Sequence, residues 1–263
     1  MKQSIYLETA LEAAKKAEKL ILKYYKEKLE VSYKEDDSPV TKADKEAEKL
    51  IREVISKKFP KHGFLGEELG TDIKEFTWII DPIDGTRNYL RKIPIFGTEI
   101  ALMKNNELIL GVSNVPLQKE LMFAEKGKGA FLNNTPIKVS SINKINKAMV
   151  LHGGLHIFVL RETLPFLIAL IKDAERDRGI SDCYMYHLIA SGRADIAVYS
   201  RLHIYDIAAM SIIIQEAGGK VSDLKGNPIN LNTTSFLATN KLLHETTLSY
   251  FSKGLEKGLQ KVR

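Results

Sequence analysis

Trp78-Ile79-Ile80-Asp81-Pro82-Ile83-Asp84-Gly85-Thr86 is the stretch on which the reading of this chain turns. Three apolar residues predict a buried strand, and it runs straight into a polar turn that carries two acids. Carboxylates held that close on a Pro-stiffened turn repel each other and rise in pKa unless a hard cation neutralises them. Oxygen-only ligation of this sort suits Mg²⁺ or Mn²⁺ rather than zinc. Gly85 lets the backbone approach a ligand closely, and the amides of Gly85 and Thr86 could form the open start of a short helix, where anions bind. The same residues could also serve as a plain capped strand-to-helix turn, because Asp and Thr are ordinary caps.

Upstream, Leu7, Ala10, Leu11, Ala14, Ala17, Ile21 and Leu22 recur at helical spacing and predict an amphipathic helix over 5–28. The polar stretch Lys34-Glu35-Asp36-Asp37-Ser38-Pro39 breaks the pattern. Ala43, Ala47, Leu50, Ile51, Val54, Ile55 and Phe59 restore it up to Pro60, giving a second helix with Asp44 near its start. Downstream the period becomes that of strands at 98–103, 108–112, 121–124 and 137–139, an antiparallel meander. A Ser, Asn and Lys-rich passage over 138–147 marks the way into a second subdomain, so the expected division is 1–140 and 141–263. The second part alternates strands at 149–151, 196–199, 220–222 and 236–239 with helices at 160–172, 183–191 and 206–217, which indicates an α/β layer. Asp206 stands at the first position of the last of these helices, where an N-cap role competes with a functional one.

With 263 residues and 44% hydrophobic content the chain can build one large domain or two modest ones. The net charge is +6, yet Lys and Glu are interleaved along helical faces instead of gathered in a block, a pattern that favours small anionic molecules over nucleic acid. The single cysteine, Cys183, excludes an intramolecular disulfide framework and fits a reducing compartment. No window reaches the length of a membrane span, so the expected location is the cytoplasm.

Taken together, Gly66-Glu67-Glu68, the Trp78–Thr86 stretch, Gly127-Lys128-Gly129-Ala130-Phe131-Leu132-Asn133, Tyr205-Asp206-Ile207-Ala208-Ala209 and Glu216-Ala217-Gly218-Gly219 resemble the inositol monophosphatase family. The resemblance follows the family's order and spacing over nearly the whole chain. It implies a layered αβαβα sandwich, an α+β or α/β arrangement, commonly as a homodimer. It also implies Mg²⁺-dependent hydrolysis of a small phosphate monoester, with two or three ions and Mn²⁺ as a possible substitute. Carried over by position, Glu67, Asp81, Asp84, Asp206 and the main-chain oxygen of Ile83 would be metal ligands. Asp44 and Thr86 would orient a metal-activated water, with Glu67 also taking part in catalysis. Gly85 and Thr86 would meet the phosphate, Glu68 would support the ligand set, and Lys34 in the polar stretch would approach the phosphate or a third metal.

Other phosphatase chemistries fit poorly. A cysteine phosphatase needs Arg six positions after its Cys, where Cys183 has Ile189. Aspartyl-phosphate enzymes separate their two acids by one residue, whereas two lie between Asp81 and Asp84. No Walker-type loop is present. His152 and His156 are spaced for zinc on a helix, but Gly153 and Gly154 between them disfavour one.

The inositol-directed relatives hold substrate hydroxyls with a Gly-Ser/Thr-Ala stretch and a later Glu; here those places carry Ile180-Ser181-Asp182 and Tyr199. Ile93-Pro94-Ile95-Phe96-Gly97-Thr98, Asp182-Cys183-Tyr184 and Leu202-His203-Ile204-Tyr205-Asp206 are instead similar to the histidinol-phosphate phosphatase branch. Asp182 could pair with a substrate ammonium, or simply cap the helix that follows. Fructose 1,6-bisphosphate and 3′-phosphoadenosine 5′-phosphate are further candidate substrates from the superfamily, the latter without its usual Gly-Pro-Thr-x-Glu-Trp-Asp run. A scaffold that keeps the fold without turnover is the non-enzymatic alternative.

Overall fold

The helical period read over 5–28 folds as α1 (Ile5–Tyr25), opened by Ser4, whose hydroxyl accepts from the Leu7 amide at 3.1 Å. The computed structural model describes residues 3–27, 31–33 and 39–258; Lys34 lies outside the described residues. β1 (Val31–Tyr33) and β2 (Pro39–Thr41) pair antiparallel and lead into α2 (Lys42–Lys58). Thr41 and Asp44 close a reciprocal cap there: the Thr41 hydroxyl accepts from Ala43 N at 3.1 Å, and the Asp44 carboxylate accepts from Thr41 N at 2.8 Å.

An eight-stranded sheet follows, built from β3 (Gly63–Gly66), β4 (Thr71–Asp72), β5 (Phe76–Asp84), β6 (Gly97–Lys104), β7 (Glu107–Val115), β8 (Glu120–Glu125), β9 (Ala130–Leu132) and β10 (Thr135–Ile137), with the short helix α3 (Thr86–Leu90) after β5. Its order is β10-β9-β8-β7-β6-β5-β3-β4. The expected meander from β5 onward is antiparallel, whereas β3 joins β5 in parallel. One face, with Trp78, Ile80, Ile100, Leu102, Leu110 and Val112, packs with the apolar stripes of α1 and α2. Ala10, Ala14 and Ala17 of α1 and Ala43 and Ala47 of α2 are fully buried, and their small side chains let the helices approach closely. Each fully buried isoleucine or leucine contributes roughly 1.5–3 kcal/mol, so this packing rather than helix propensity holds the two helices.

The later residues form a mixed sheet of order β12-β11-β13-β15-β14, from β11 (Met149–His152), β12 (Arg176–Gly179), β13 (Ile196–Tyr199), β14 (Lys220–Ser222) and β15 (Phe236–Thr239). Between and after these strands lie α4 (Leu155–Leu160), α5 (Leu164–Asp173), α6 (Asp182–Ala190), α7 (Ile204–Glu216) and α8 (His244–Gly258). Val150, Phe158, Leu167, Leu170, Ile196, Val198, Leu237 and Phe251 form a core there.

Several expectations need correction. The strand placed at 137–139 is Thr135–Ile137; the helix placed at 160–172 is α5 and begins only at Leu164, and α4 ahead of it was not expected. Pro165 sits in the first turn of α5, where its missing N–H costs nothing, so it starts a new helix. His152 ends β11 and His156 lies in α4; the His152 ring contacts Gly153 O at 2.9 Å and Asp177 Oδ2 at 3.4 Å. Nor is the chain divided by one cut after 140. The first compact unit runs Met1–Pro136 and takes back Asp182–Tyr184 and Tyr205–Ile213, and the rest forms the second. Gly111 of β7 explains the later return, because any Cβ there would overlap Ala209 O and the Ile212 side chain of α7.

His244, fully buried at the start of α8, lies between the Ser222 hydroxyl at 2.9 Å and the Thr239 hydroxyl at 3.1 Å. Burial first, and Lys220 second, push its pKa down to about 4, against the partial opposition of Glu245. The unfolded chain therefore binds a proton between about pH 6.5 and 4 that the folded chain refuses, and stability falls as pH drops through that window by up to about 3 kcal/mol. Replacing His244 with Gln should flatten the fall in melting temperature over this range; parallel curves for the two proteins would contradict the assignment.

Candidate active site

β5 reaches its end through a register shift. Asp81 pairs with Glu99 and Asp84 with Gly97, so three steps along β5 match two along β6. Pro82 donates no ladder hydrogen bond, which makes a bulge natural at this point. The bulge has a chemical consequence. Residues three apart in a regular strand face opposite sides, and the extra residue brings the Asp81 and Asp84 carboxylates to the same side. Ile83 N donates to Asp81 Oδ1 at 3.0 Å, and the Thr98 hydroxyl donates to Pro82 O at 2.9 Å, which holds the turn.

α7 brings Asp206 to this corner as the third residue of the helix, not the first. Ligand oxygens of Asp81, Asp84 and Asp206 all lie within 4.8 Å of one another. Glu67 follows β3, and its amide donates to Ile80 O at 3.2 Å, one residue before Asp81. Its side chain is within hydrogen-bonding reach of the Asp81 carboxyl. Burial, then the charges of Glu67, Asp84 and Asp206, push the Asp81 pKa well above the usual carboxylate range. For Asp84 the causes are burial, then Asp182, Asp206 and Glu99, with the Cys183 amide donating to its Oδ2 and partly offsetting them. The donors are all oxygen, and two of the three carboxylates are buried. Such a set fits a hard divalent cation.

Beside the cluster, the Thr86 hydroxyl lies 3.0 Å from Ile83 O and 3.3 Å from Asp44 Oδ1. Asp44 is fully buried; its Oδ2 accepts from the Thr41 amide at 2.8 Å and the Thr41 hydroxyl at 2.5 Å. Burial raises its pKa to about 6 despite these donors. Gly85 adopts a left-handed conformation with φ 89°, which favours glycine. A Cβ there would stand 3.0 Å from Ile95 O and 3.2 Å from Asp182 Oδ2.

Asp182 opens α6 with φ 59°, an uncommon value for a residue with a side chain, and Asn88 Nδ2 donates to its Oδ2 at 2.7 Å. Glu68 donates its amide to Glu48 Oε2 at 2.7 Å. Tyr199 ends β13 in the second unit, its ring against Gly153.

Glu99 is absent from the sequence reading. It is 1% exposed, takes a short hydrogen bond from Ser113, and its Oε2 has no hydrogen-bond partner among the described residues. Burial raises its pKa strongly. The signal for it was an acid in phase with Ala101 and Met103 along an otherwise apolar strand.

Fold and site together define a metal-dependent phosphatase. The chain belongs to the inositol monophosphatase family, whose model matches residues 2–256, and it is a hydrolase of phosphoric monoesters. It is 39% identical over 251 residues to a histidinol-phosphatase of Chlorobaculum parvum, covering 94% of this chain and 97% of that one. It is 33% identical to a fructose-1,6-bisphosphatase/inositol-1-monophosphatase of Thermotoga maritima, over 83% of this chain and 84% of that one. Among solved structures, the extragenic suppressor protein suhB of Bartonella henselae superposes with a TM-score of 0.90 at 32% identity, covering 95% of this chain and all of the other. An IMPase of Thermotoga maritima gives 0.88 at 30% identity, over 97% and 99% of the two chains. The layered α+β sandwich expected from the sequence is thus the fold of these relatives. Among the described residues no helix is long and apolar enough to cross a membrane.

Repulsion within the cluster yields a thermal test. Asp84→Asn removes one charge yet keeps an oxygen to accept from Cys183 N. Without divalent metal its melting temperature at pH 7 should equal or exceed that of the parent. Millimolar Mg²⁺ should then raise the parent by several degrees and the variant by less than about 1 °C. An equal rise in both would remove Asp84 from the cation site.

Proposed function

We propose that the protein is a Mg²⁺-dependent phosphatase that hydrolyses a small phosphate monoester by direct attack of water. The observation that carries this reading is the convergence of Asp81, Asp84 and Asp206 within 4.8 Å, with the Asp44–Thr86 pair beside them. Glu67, Asp81, Ile83 O, Asp84 and Asp206 would hold two or three Mg²⁺ ions, with Mn²⁺ a workable substitute. Bound there, the ions lower the pKa of the attacking water and neutralise charge on the phosphoryl oxygens and the leaving alkoxide.

The chain's own residues supply the direction of attack. Thr86 has one hydroxyl proton and two acceptors within reach, Ile83 O and Asp44 Oδ1. With Ile83 O engaged as a ligand, that proton turns to Asp44, which is anchored on its other oxygen by Thr41. The Thr86 oxygen is then an acceptor for the water's proton, and Asp44 stabilises the positive charge that develops on the pair. Glu67, whose charge is felt by both Asp81 and Asp44, shares the orienting task. Gly85 and Thr86 receive the phosphate, and Glu68 supports the ligand set. Lys34 and Tyr199 are assigned by resemblance alone, as contacts to phosphate and substrate.

A second reading names the substrate. Asp182, fixed by Asn88 and set beside Gly85 in a left-handed conformation, suits a substrate ammonium group, which points to histidinol phosphate over inositol 1-phosphate. The Chlorobaculum parvum relative supports the same choice. We place the enzyme in the cytoplasm as a homodimer acting on a phosphorylated metabolite, without nucleic-acid or membrane partners. The one buried cysteine and the exposed apolar side chains Leu155, Val159, Leu160 and Ile168 support this placement.

Phosphate release from p-nitrophenyl phosphate should require Mg²⁺ and stop with a chelator; a scaffold protein would release none under either condition. Asp182→Ala should lower kcat/KM for histidinol phosphate roughly 10- to 100-fold, the scale of a lost charged hydrogen bond, and leave inositol 1-phosphate within about 2-fold. Equal losses on both substrates would refute the ammonium pairing.

A further inference from the structure

Glu67 lies on the turn between β3 and β4, and what holds that turn is a pair of side chains on α2. The fully buried Glu48 accepts from Glu68 N through Oε2 at 2.7 Å and from Leu69 N through Oε1 at 3.3 Å. Arg52, one helical turn on, donates from Nε to Glu48 Oε1 at 2.8 Å and from Nη2 to Gly70 O at 2.6 Å. The guanidinium also lies 5.1 Å from the centre of the Phe64 ring in β3. Together these contacts grip three successive turn residues, Glu68, Leu69 and Gly70, immediately after Glu67. A Cβ on Gly66 would overlap the Glu48 carboxylate, so the grip reaches both sides of Glu67.

A buried ion pair is a poor way to gain stability, since desolvation offsets most of its Coulomb energy. Its value is geometric. Asp44, Glu48 and Arg52 follow at four-residue intervals and form one line along α2. A rigid helix thereby references Asp44, Thr86 and the Glu67 turn to a single body. We propose that Glu48 and Arg52 are positioning residues that fix Glu67 against Asp81 and so set the protein's affinity for its divalent cation. This rests on the reading of Glu67 as a ligand given above.

Outer partners of metal ligands typically change metal affinity 10- to 100-fold when altered. Titration calorimetry with Mg²⁺ on the whole protein, alongside the Mg²⁺ dependence of phosphatase activity, reads this directly. Glu48→Gln keeps the shape but presents a donor where the turn offers donors. It should weaken Mg²⁺ binding about 10-fold or more, with kcat at saturating Mg²⁺ within about 3-fold of the parent. Ile55→Val, in the core of the same helix, should lower the melting temperature without moving Mg²⁺ affinity. Should Glu48→Gln not yield folded protein, Arg52→Lys replaces it; the point charge remains, the fork to Glu48 and Gly70 is lost, and a several-fold weakening is expected. Mg²⁺ affinity unchanged in the clamp variant but weakened in Glu67→Ala overturns the clamp and leaves the site reading intact. Affinity unchanged in Glu67→Ala overturns the site reading of Glu67, and the clamp's purpose with it.

Discussion

Mutual repulsion among buried carboxylates is the constraint around which the first unit is organised. At a separation near 5 Å and an effective dielectric of about 20, two charged carboxylates repel by roughly 3 kcal/mol, and Asp81, Asp84 and Asp206 present three such pairs, with Glu67 adjoining. A penalty of that size is comparable to a large part of a domain's net stability. It is tolerated where surrounding packing over-determines the position of each acid and where a cation can enter.

Each acid is tied to an element that cannot easily retreat. Asp81 and Asp84 stand on a strand in the middle of the sheet, between β3 and β6, with the bulge at Pro82 turning both to one side. Asp206 is carried by α7, whose backbone comes down on Gly111. Glu67 is tied by its amide to Ile80 and by its neighbours to Glu48. Asp44 is locked into the cap of α2. Packing thus fixes the acids in place, while burial and mutual repulsion raise the pKa of Asp81 and Asp84, so that either protons or a cation must offset their charge.

The strong periodic segments were legible because burial imposes their pattern: the apolar stripes of α1 and α2 and the alternation through β5 to β8 all fold where the spacing places them. The misses have physical causes. β12, Arg176-Asp177-Arg178-Gly179, is an edge strand with mostly exposed side chains, and so carries no apolar alternation to read. α4 was missed because it is six residues long and buries a single side chain, Phe158, so it shows no apolar stripe. Glu48 and Arg52 drew no reading from the sequence, because a Glu–Arg pair at i and i+4 is common on helix surfaces and only the turn that folds over them buries Glu48.

By itself the sequence determined the acids, the glycine and the proline at the end of β5, because strand, breaker and charge are local chemistry, and it determined the family through the order of its motifs. Tertiary structure alone decided which distant residues share a corner: that Asp206 meets Asp81 and Asp84, that Asp182 stands beside Gly85, and that Glu99 lies buried on the neighbouring strand. Those proximities arise from strand register, a one-residue bulge and the close approach of a helix to Gly111. Each is a long-range packing outcome that no local pattern of residues encodes.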